Sequence, residues 1–239
     1  MIEIFGPNIS PFVVKVLAAA NYKQLQYTHT EHVSIRELSK LNPYTGKVPV
    51  VRIDGEAIFD STLILRQFDR IKAEPVLQSE DKEVAAKQRM LEDWSDESLY
   101  WYNQALRWAS ENEERTITQN SRFVPLLARP FAKPLLRHLV GKQPKAQGLG
   151  RLPYKVLLAE LGGKLEDLEV LLGESSFFFS ERPSAADFAI YGVFCTGLLD
   201  DVTPDFEALI SKNPNLQQWY KRVAEVSRHL IKIKCTIGA

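Results

Sequence analysis

The chain changes rhythm at Glu74-Pro75. Before that point short strand-like and helix-like segments alternate; after it nearly every periodic segment is helical. Such a change restricts the architecture to a small α/β unit followed by an all-α unit. The 239 residues accommodate one large domain or two small ones,. A chain of this length buries roughly 70–75% of its unfolded surface, so neither disulfides nor a metal is needed to hold a core. The expected division is 1–75 for the α/β unit, 76–82 for a linker and 83–239 for the helical unit.

Ile2–Phe5 predicts a strand, broken by Gly6-Pro7-Asn8. From Pro11, the apolar residues Val13, Val14, Val16, Leu17 and Ala20 recur at helical spacing, with Ser10 at the N-cap position,. Leu25–Thr28 predicts a second strand, and Ser34–Leu41 a short helix stopped by Asn42-Pro43,. Val48–Ile53, Asp54-Gly55 and Glu56–Phe59 predict a hairpin, after which Asp60-Ser61 opens another helix,. In the second unit, Leu91, Trp94, Ser95, Ser98, Trp101, Tyr102, Ala105 and Trp108 form one stripe of a long helix,. Further helices are expected over Lys155–Leu172, Ser184–Leu199 and Phe206–Ile231, the last broken at Asn213-Pro214. Ser184 and Asp187 have the spacing of a capping box.

Thirty basic and thirty acidic residues give no net charge, which disfavours a general nucleic-acid binder and a disordered chain,. The charge is nevertheless uneven. Residues 115–159 carry nine Lys or Arg and no Asp or Glu, leaving the remainder at minus nine. Five prolines in this segment predict broken helix and loop,. A solvated face balanced by acids elsewhere is favoured there; contact with an anionic surface, such as a lipid headgroup layer, is the alternative. The two cysteines, Cys195 and Cys235, have no zinc or redox spacing, and a reducing compartment is expected,. The N-terminus has no signal-peptide pattern. The longest apolar stretch, Phe188–Leu199, is too short to span a bilayer,.

Three short segments bear on chemistry. Ser10 stands where a helix offers free N–H groups and its positive dipole end, so its hydroxyl and the helix would stabilise an anion such as a thiolate; a plain cap is the competing reading. In Gly46-Lys47-Val48-Pro49-Val50 a proline enters a strand, which marks an edge or special backbone site,. A cis bond there would turn the Val48 backbone outward toward an extended peptide. Asp60 and Ser61, opening a helix, suit an amine and a carboxylate, or serve only as caps. The acids Glu92, Asp93, Asp96 and Glu97 lack a converging histidine, so a solvated helix face is expected rather than a metal site. The aromatic residues Trp94, Tyr100, Trp101, Tyr102 and Trp108 read first as core, and second as an apolar wall whose N-terminal part borders a cleft between the units.

Together these segments resemble the cytosolic glutathione transferase superfamily. The matching stretches are Ser10–Val13, Leu41–Val50 and Ile58–Ile64, with a second landmark within Arg182–Ala189. The resemblance implies a thioredoxin-like, glutathione-binding domain followed by an all-helical domain. It implies that Ser10 faces the glutathione sulfur, with Asn8 a second candidate. It places Val48 against the cysteinyl backbone ahead of cis Pro49, Lys47 at the glycyl carboxylate, and Asp60 and Ser61 at the γ-glutamyl amine and carboxylate. His32 lies near a glycyl-binding position in some classes but in uncertain register, so it is not assigned. Ser10 replaces the cysteine of the reductase-type classes, and a hydroxyl cannot exchange with a disulfide.

The segment ending Ala146–Arg151, with Leu171–Glu174 and Phe177–Phe179, more loosely resembles the metaxin and failed-axon-connections branch. The expected function is conjugation of the glutathione thiolate to a hydrophobic electrophile, with glutathione as co-substrate, no metal, a homodimer and a cytoplasmic location. The alternatives are a non-catalytic ligand binder or metaxin-like interaction protein, with peripheral membrane contact left open, and a glutathione-dependent isomerase or dehalogenase.

Overall fold

A computed structural model describes residues 1–124 and 126–228. Strands β1 (Ile2–Phe5), β2 (Tyr27–Thr30), β3 (Val50–Ile53) and β4 (Glu56–Phe59) form one sheet in the order β2-β1-β3-β4. β1 runs parallel to β2 and antiparallel to β3, and β3 returns antiparallel to β4 through Asp54-Gly55. The register places Ile4 opposite Val51 and Ile2 opposite Ile53. Helices α1 (Pro11–Tyr22), α2 (Ile35–Leu41) and α3 (Ser61–Ile71) complete the expected thioredoxin-like unit. β2 begins two residues later than the apolar reading, and β3 starts only after Pro49, which lacks the N–H a ladder needs,.

The long helix of the second unit is three pieces: α4 (Lys82–Trp94), a π turn over Ser95–Leu99, and α5 (Tyr100–Arg107). The 115–159 segment is broken as its prolines predict. It contains α6 (Glu113–Ser121, which begins just before it), α7 (Ala132–Leu136) and α8 (Gln143–Gln147), with 3-10 and π turns between them. There follow α9 (Tyr154–Leu172), α10 (Ala185–Leu198), α11 (Pro204–Ile210) and α12 (Pro214–Ser227). The expected extension to Ile231, and Cys235, lie outside the described residues.

α1 and α10 are apolar on nearly every side and nearly wholly buried, and the hydrophobic core runs through both units,. Gly192 allows these two helices to meet: a Cβ there would stand 2.3 Å from Pro11 O. α10 is anchored at its start by the expected capping box. Asp187 Oδ2 accepts from Ser184 N at 2.8 Å and the Ser184 hydroxyl at 3.0 Å, while Oδ1 accepts from Phe178 N at 3.0 Å and Trp219 Nε1 at 2.8 Å. No helix among the described residues is long and apolar enough to cross a membrane.

Acids outside the basic segment neutralise part of it. Arg137 pairs with Glu113, Lys133 with Glu114, and Arg122 with Asp200. The same segment leaves Leu127 94% and Phe131 68% exposed.

Candidate functional site

Ser10 is positioned by a tight loop and a close helix crossing. Gly6 adopts φ +138°, and a Cβ there would lie 2.6 Å from Val13 Cγ2 and 2.9 Å from Val48 Cβ. The β1–α1 loop therefore packs against both α1 and the segment before β3. Ser10 is extended (φ −89°, ψ 122°) at the N-cap, with Pro11 following. Its side chain makes no capping bond, and among the described residues its hydroxyl has no hydrogen-bond partner. The plain-cap reading of Ser10 therefore fails. A half-buried hydroxyl remains available beside the first-turn N–H groups, which helix geometry leaves without internal acceptors,.

Asn42 builds the loop that carries Lys47 and Val48, a role the sequence reading reduced to helix termination. The Asn42 side chain is buried. Its Nδ2 donates to Thr45 Oγ1 at 2.7 Å and Lys47 O at 3.0 Å, and its Oδ1 accepts from Thr45 N at 3.2 Å. The Val48-Pro49 peptide is cis. Ser10, Lys47 and Val48 line one cleft of about 380 Å³. Pro49 is buried next to them in sequence but outside the lining.

Asp60 and Ser61 open α3 and do not line that cleft. Asp60 accepts from Leu63 N at 3.1 Å, so it does cap the helix. Its backbone, however, sits at φ 76°, ψ 122°, outside the basins open to an L-residue,. Such strain persists where the surroundings impose it and clusters at binding sites. The Asn8 backbone N–H donates to Glu31 Oε1 at 3.4 Å, and the exposed His32 ring packs on Phe123 at 5.4 Å between centroids.

The acids on the long helix depart from expectation. Glu92 is buried and Asp96 nearly so, and both reach the fully buried Lys15 of α1. Lys15 Nζ lies 2.6 Å from Asp96 Oδ2, 2.7 Å from Glu92 Oε1 and 3.2 Å from Thr62 Oγ1, whose hydroxyl donates to Glu92 at 2.9 Å. The solvated-face reading is therefore wrong for these two. A lone lysine inside Pro11–Ala20 was the available signal, because a buried ammonium demands an anion from elsewhere in the fold. Burial opposes the charge on Lys15, but Asp96 and Glu92 outweigh it and hold the ammonium above its ordinary pKa. Burial pushes the Asp96 carboxyl up to about 6 against the pull of Lys15, with Glu92 and Asp60 adding repulsion. Asp96 also lines the cleft, so the bridge between the units forms part of its wall.

The aromatic residues divide between two roles. Tyr102 and Trp108 are buried, while Tyr100 and Trp101 are half-buried. Tyr100, Trp101 and Trp108 line the cleft, whereas Trp94 lines a separate apolar groove between α4 and α9. It is thus the C-terminal part of the stripe that borders the cleft, not the N-terminal part. The π turn at Ser95–Leu99 adds residues to the turn and shifts the face that follows,. Phe12 packs against Tyr100 in a tilted pair, 4.9 Å between centroids, joining the Ser10 segment to this wall.

Two family models match the chain: the N-terminal domain of glutathione S-transferase over residues 9–71, and its C-terminal domain over residues 118–222. The curated glutathione transferase GST 23 of Zea mays is 28% identical over 107 residues, covering 41% of this chain and 48% of that protein. The match thus spans about half the length of that relative. Among solved structures, the beta-etherase LigF of Sphingobium sp. strain SYK-6 superposes with a TM-score of 0.66 at 21% identity, covering 93% of this chain and 94% of LigF. Rice GST1, solved in complex with glutathione, gives a TM-score of 0.66 at 20% identity, covering 96% and 91%. The Tau class enzyme of mango, Mangifera indica, gives 0.63 at 20% identity, covering 93% and 88%. At these identities the structural likeness establishes the fold.

Proposed function

Since the chain belongs to the glutathione transferase superfamily, we propose that it conjugates the glutathione thiolate to a hydrophobic electrophile. The observation that carries this reading is the Ser10 hydroxyl, without a hydrogen-bond partner among the described residues at the start of α1, in a cleft also lined by Tyr100, Trp101 and Trp108.

In this reading residues 1–75 bind glutathione, 76–82 link, and 83–239 complete the pocket of a cytoplasmic homodimer. Glutathione lies as an extended peptide along the cleft edge, its cysteinyl backbone paired with Val48 ahead of Pro49. Lys47 takes the glycyl carboxylate, and Asp60 and Ser61 hold the γ-glutamyl amine and carboxylate. The sulfur then meets the Ser10 hydroxyl and the positive end of α1. Both favour the thiolate over the thiol. The thiolate attacks the electrophilic carbon, a carbon–sulfur bond forms, and the leaving group departs with the bonding pair. The cleft contributes a larger thiolate fraction at neutral pH and the alignment of two reactants.

Calorimetric titration with glutathione tests the reading. Heat of binding is expected from the intact protein, with affinity reduced about tenfold or more in Ser61→Ala, as for loss of a hydrogen bond to a charged group. No heat from the intact protein would end it. Ser10→Ala is expected to retain binding while raising the bound thiol's pKa by about one unit, equivalent to about 1.4 kcal/mol. Thiolate absorbance followed against pH measures this, and an unchanged titration removes Ser10 from the mechanism.

A further inference from the structure

Arg107 is a cation in the cleft that thiol activation does not use. It ends α5, is only 3% exposed, and contributes to the wall formed by Tyr100, Trp101, Gln104 and Trp108. Its guanidinium donates to Thr196 O at 2.7 Å and to Gln119 Oε1, both uncharged acceptors. Two of five donors are thereby occupied, and no carboxylate of the described residues forms an ion pair with it,. Asp200 acts on it only at longer range and is itself bonded to Arg122 at 2.7 Å. Burial lowers the Arg107 pKa to about 10, which leaves the group cationic at neutral pH.

A buried cation without an anion is unfavourable unless something entering the site supplies one. The acids of the same cleft do not. Asp96 is taken by Lys15, and Glu97 is exposed at the rim. The other cation lining the cleft, Lys47, lies on the loop before β3 and is assigned to glutathione. Tyr100 lies close enough for its charge state to couple to Arg107, and it packs between Phe12 and Trp101, with ring centroids 4.9 and 5.0 Å away. A buried guanidinium in the same cleft wall as these rings matches a planar apolar acid,.

From this arrangement we infer that the second substrate is an aromatic electrophile bearing a carboxylate, bound with its ring on Tyr100, Trp101 and Trp108 and its carboxylate on Arg107. The inference rests on the transferase reading for the reaction, but the anion site itself does not. Arg107 acts here as a specificity-determining binding residue.

The test compares a chlorodinitrobenzoate with the matching chlorodinitrobenzamide as electrophiles, each rate divided by its uncatalysed rate with glutathione. In parallel, calorimetry without glutathione compares the chlorine-free dinitrobenzoate and dinitrobenzamide. The unaltered protein is expected to favour the acid about tenfold or more in kcat/KM and in affinity. Arg107→Gln is expected to lower the acid's kcat/KM about 10- to 100-fold, through KM, while the amide changes by less than about threefold. Arg107→Lys should keep part of the preference, because it keeps the charge but not the planar fork. Equal affinity for acid and amide in the unaltered protein overturns the proposal, whatever the variants do. An equal loss for both compounds in Arg107→Gln overturns it too. If neither compound is conjugated, the claim about the second substrate is overturned while the transferase reading stands or falls on its own glutathione titration, and the calorimetric preference with its loss in Arg107→Gln still decides the anion site. Should Arg107→Gln not fold, Arg107→Lys and the acid-to-amide ratio of the unaltered protein decide it.

Discussion

Lys15→Met is expected to destabilise the fold by about 3–5 kcal/mol, the range for breaking a buried ion pair by removing one partner. Methionine keeps most of the stem's volume, so the loss is electrostatic rather than a cavity. It leaves Glu92 and Asp96 facing each other, both largely out of water, with no cation between them. The deficit should depend on pH, and its sign follows from proton linkage. Asp96 already titrates near 6 because burial disfavours its charge. Removing the ammonium raises it further, while the unfolded value stays near the ordinary carboxylate range. The folded variant therefore binds more protons than the unfolded one between those two values, and its stability falls as pH rises through that window. Urea denaturation at pH 5 and pH 8 should show the smaller deficit at pH 5. Lys15→Met combined with Glu92→Gln and Asp96→Asn should recover much of the loss, since all three charges are then gone. A deficit under about 1 kcal/mol for Lys15→Met alone would show that the bridge between the units is a solvated contact.

Asp187→Ala is expected to cost a similar amount, about 3–5 kcal/mol, by a different route. The carboxylate is fully buried and receives four donors from three places: the start of α10, the turn at Phe178, and Trp219 in α12. Burial pushes its pKa up, against the pull of those hydrogen bonds. Alanine strands the Phe178, Ser184 and Trp219 N–H groups away from water, and each unmet buried donor costs about 1–3 kcal/mol. Asp187→Asn keeps one carbonyl oxygen and should lose roughly half as much. Thermal unfolding monitored by circular dichroism reports both. A shift for Asn equal to that for Ala would mean that charge, not hydrogen bonding, holds the joint. Because α10 crosses α1 at Gly192, beside Pro11, a loosened α10 should also disturb Ser10.

Local patterns in the chain predicted most elements. Ile2–Phe5, Ser61 onward, the hairpin at Asp54-Gly55 and the box at Ser184–Asp187 all depend on residues within a few positions of one another, and all four form. The candidate site was legible to the same extent. Ser10, Lys47 and Val48 stand in short stretches whose order in the chain carries the resemblance, and the fold brings these three to one cleft. The acids were misread because periodicity reports a helix face, not what that face meets. Lys15 lies 77 positions before Glu92 and 81 before Asp96. The aromatic wall was assigned to the wrong end because a π turn leaves no mark in a spacing pattern.

The sequence by itself determined the order of elements, the switch from mixed to helical structure, and a hydroxyl at the start of the first helix. These follow from turn chemistry, capping and apolar rhythm, which act over one or two turns of chain. Tertiary structure alone decided that the Ser10 hydroxyl makes no capping bond, that Lys15 ties the units together through two carboxylates, and that Arg107 stands in the cleft wall with no ion pair to an acid of the described residues. Each of those facts is a question of which partner a polar group finds after burial. Partners distant in the chain are chosen by the packing of α1, α5 and α10, which no local pattern encodes.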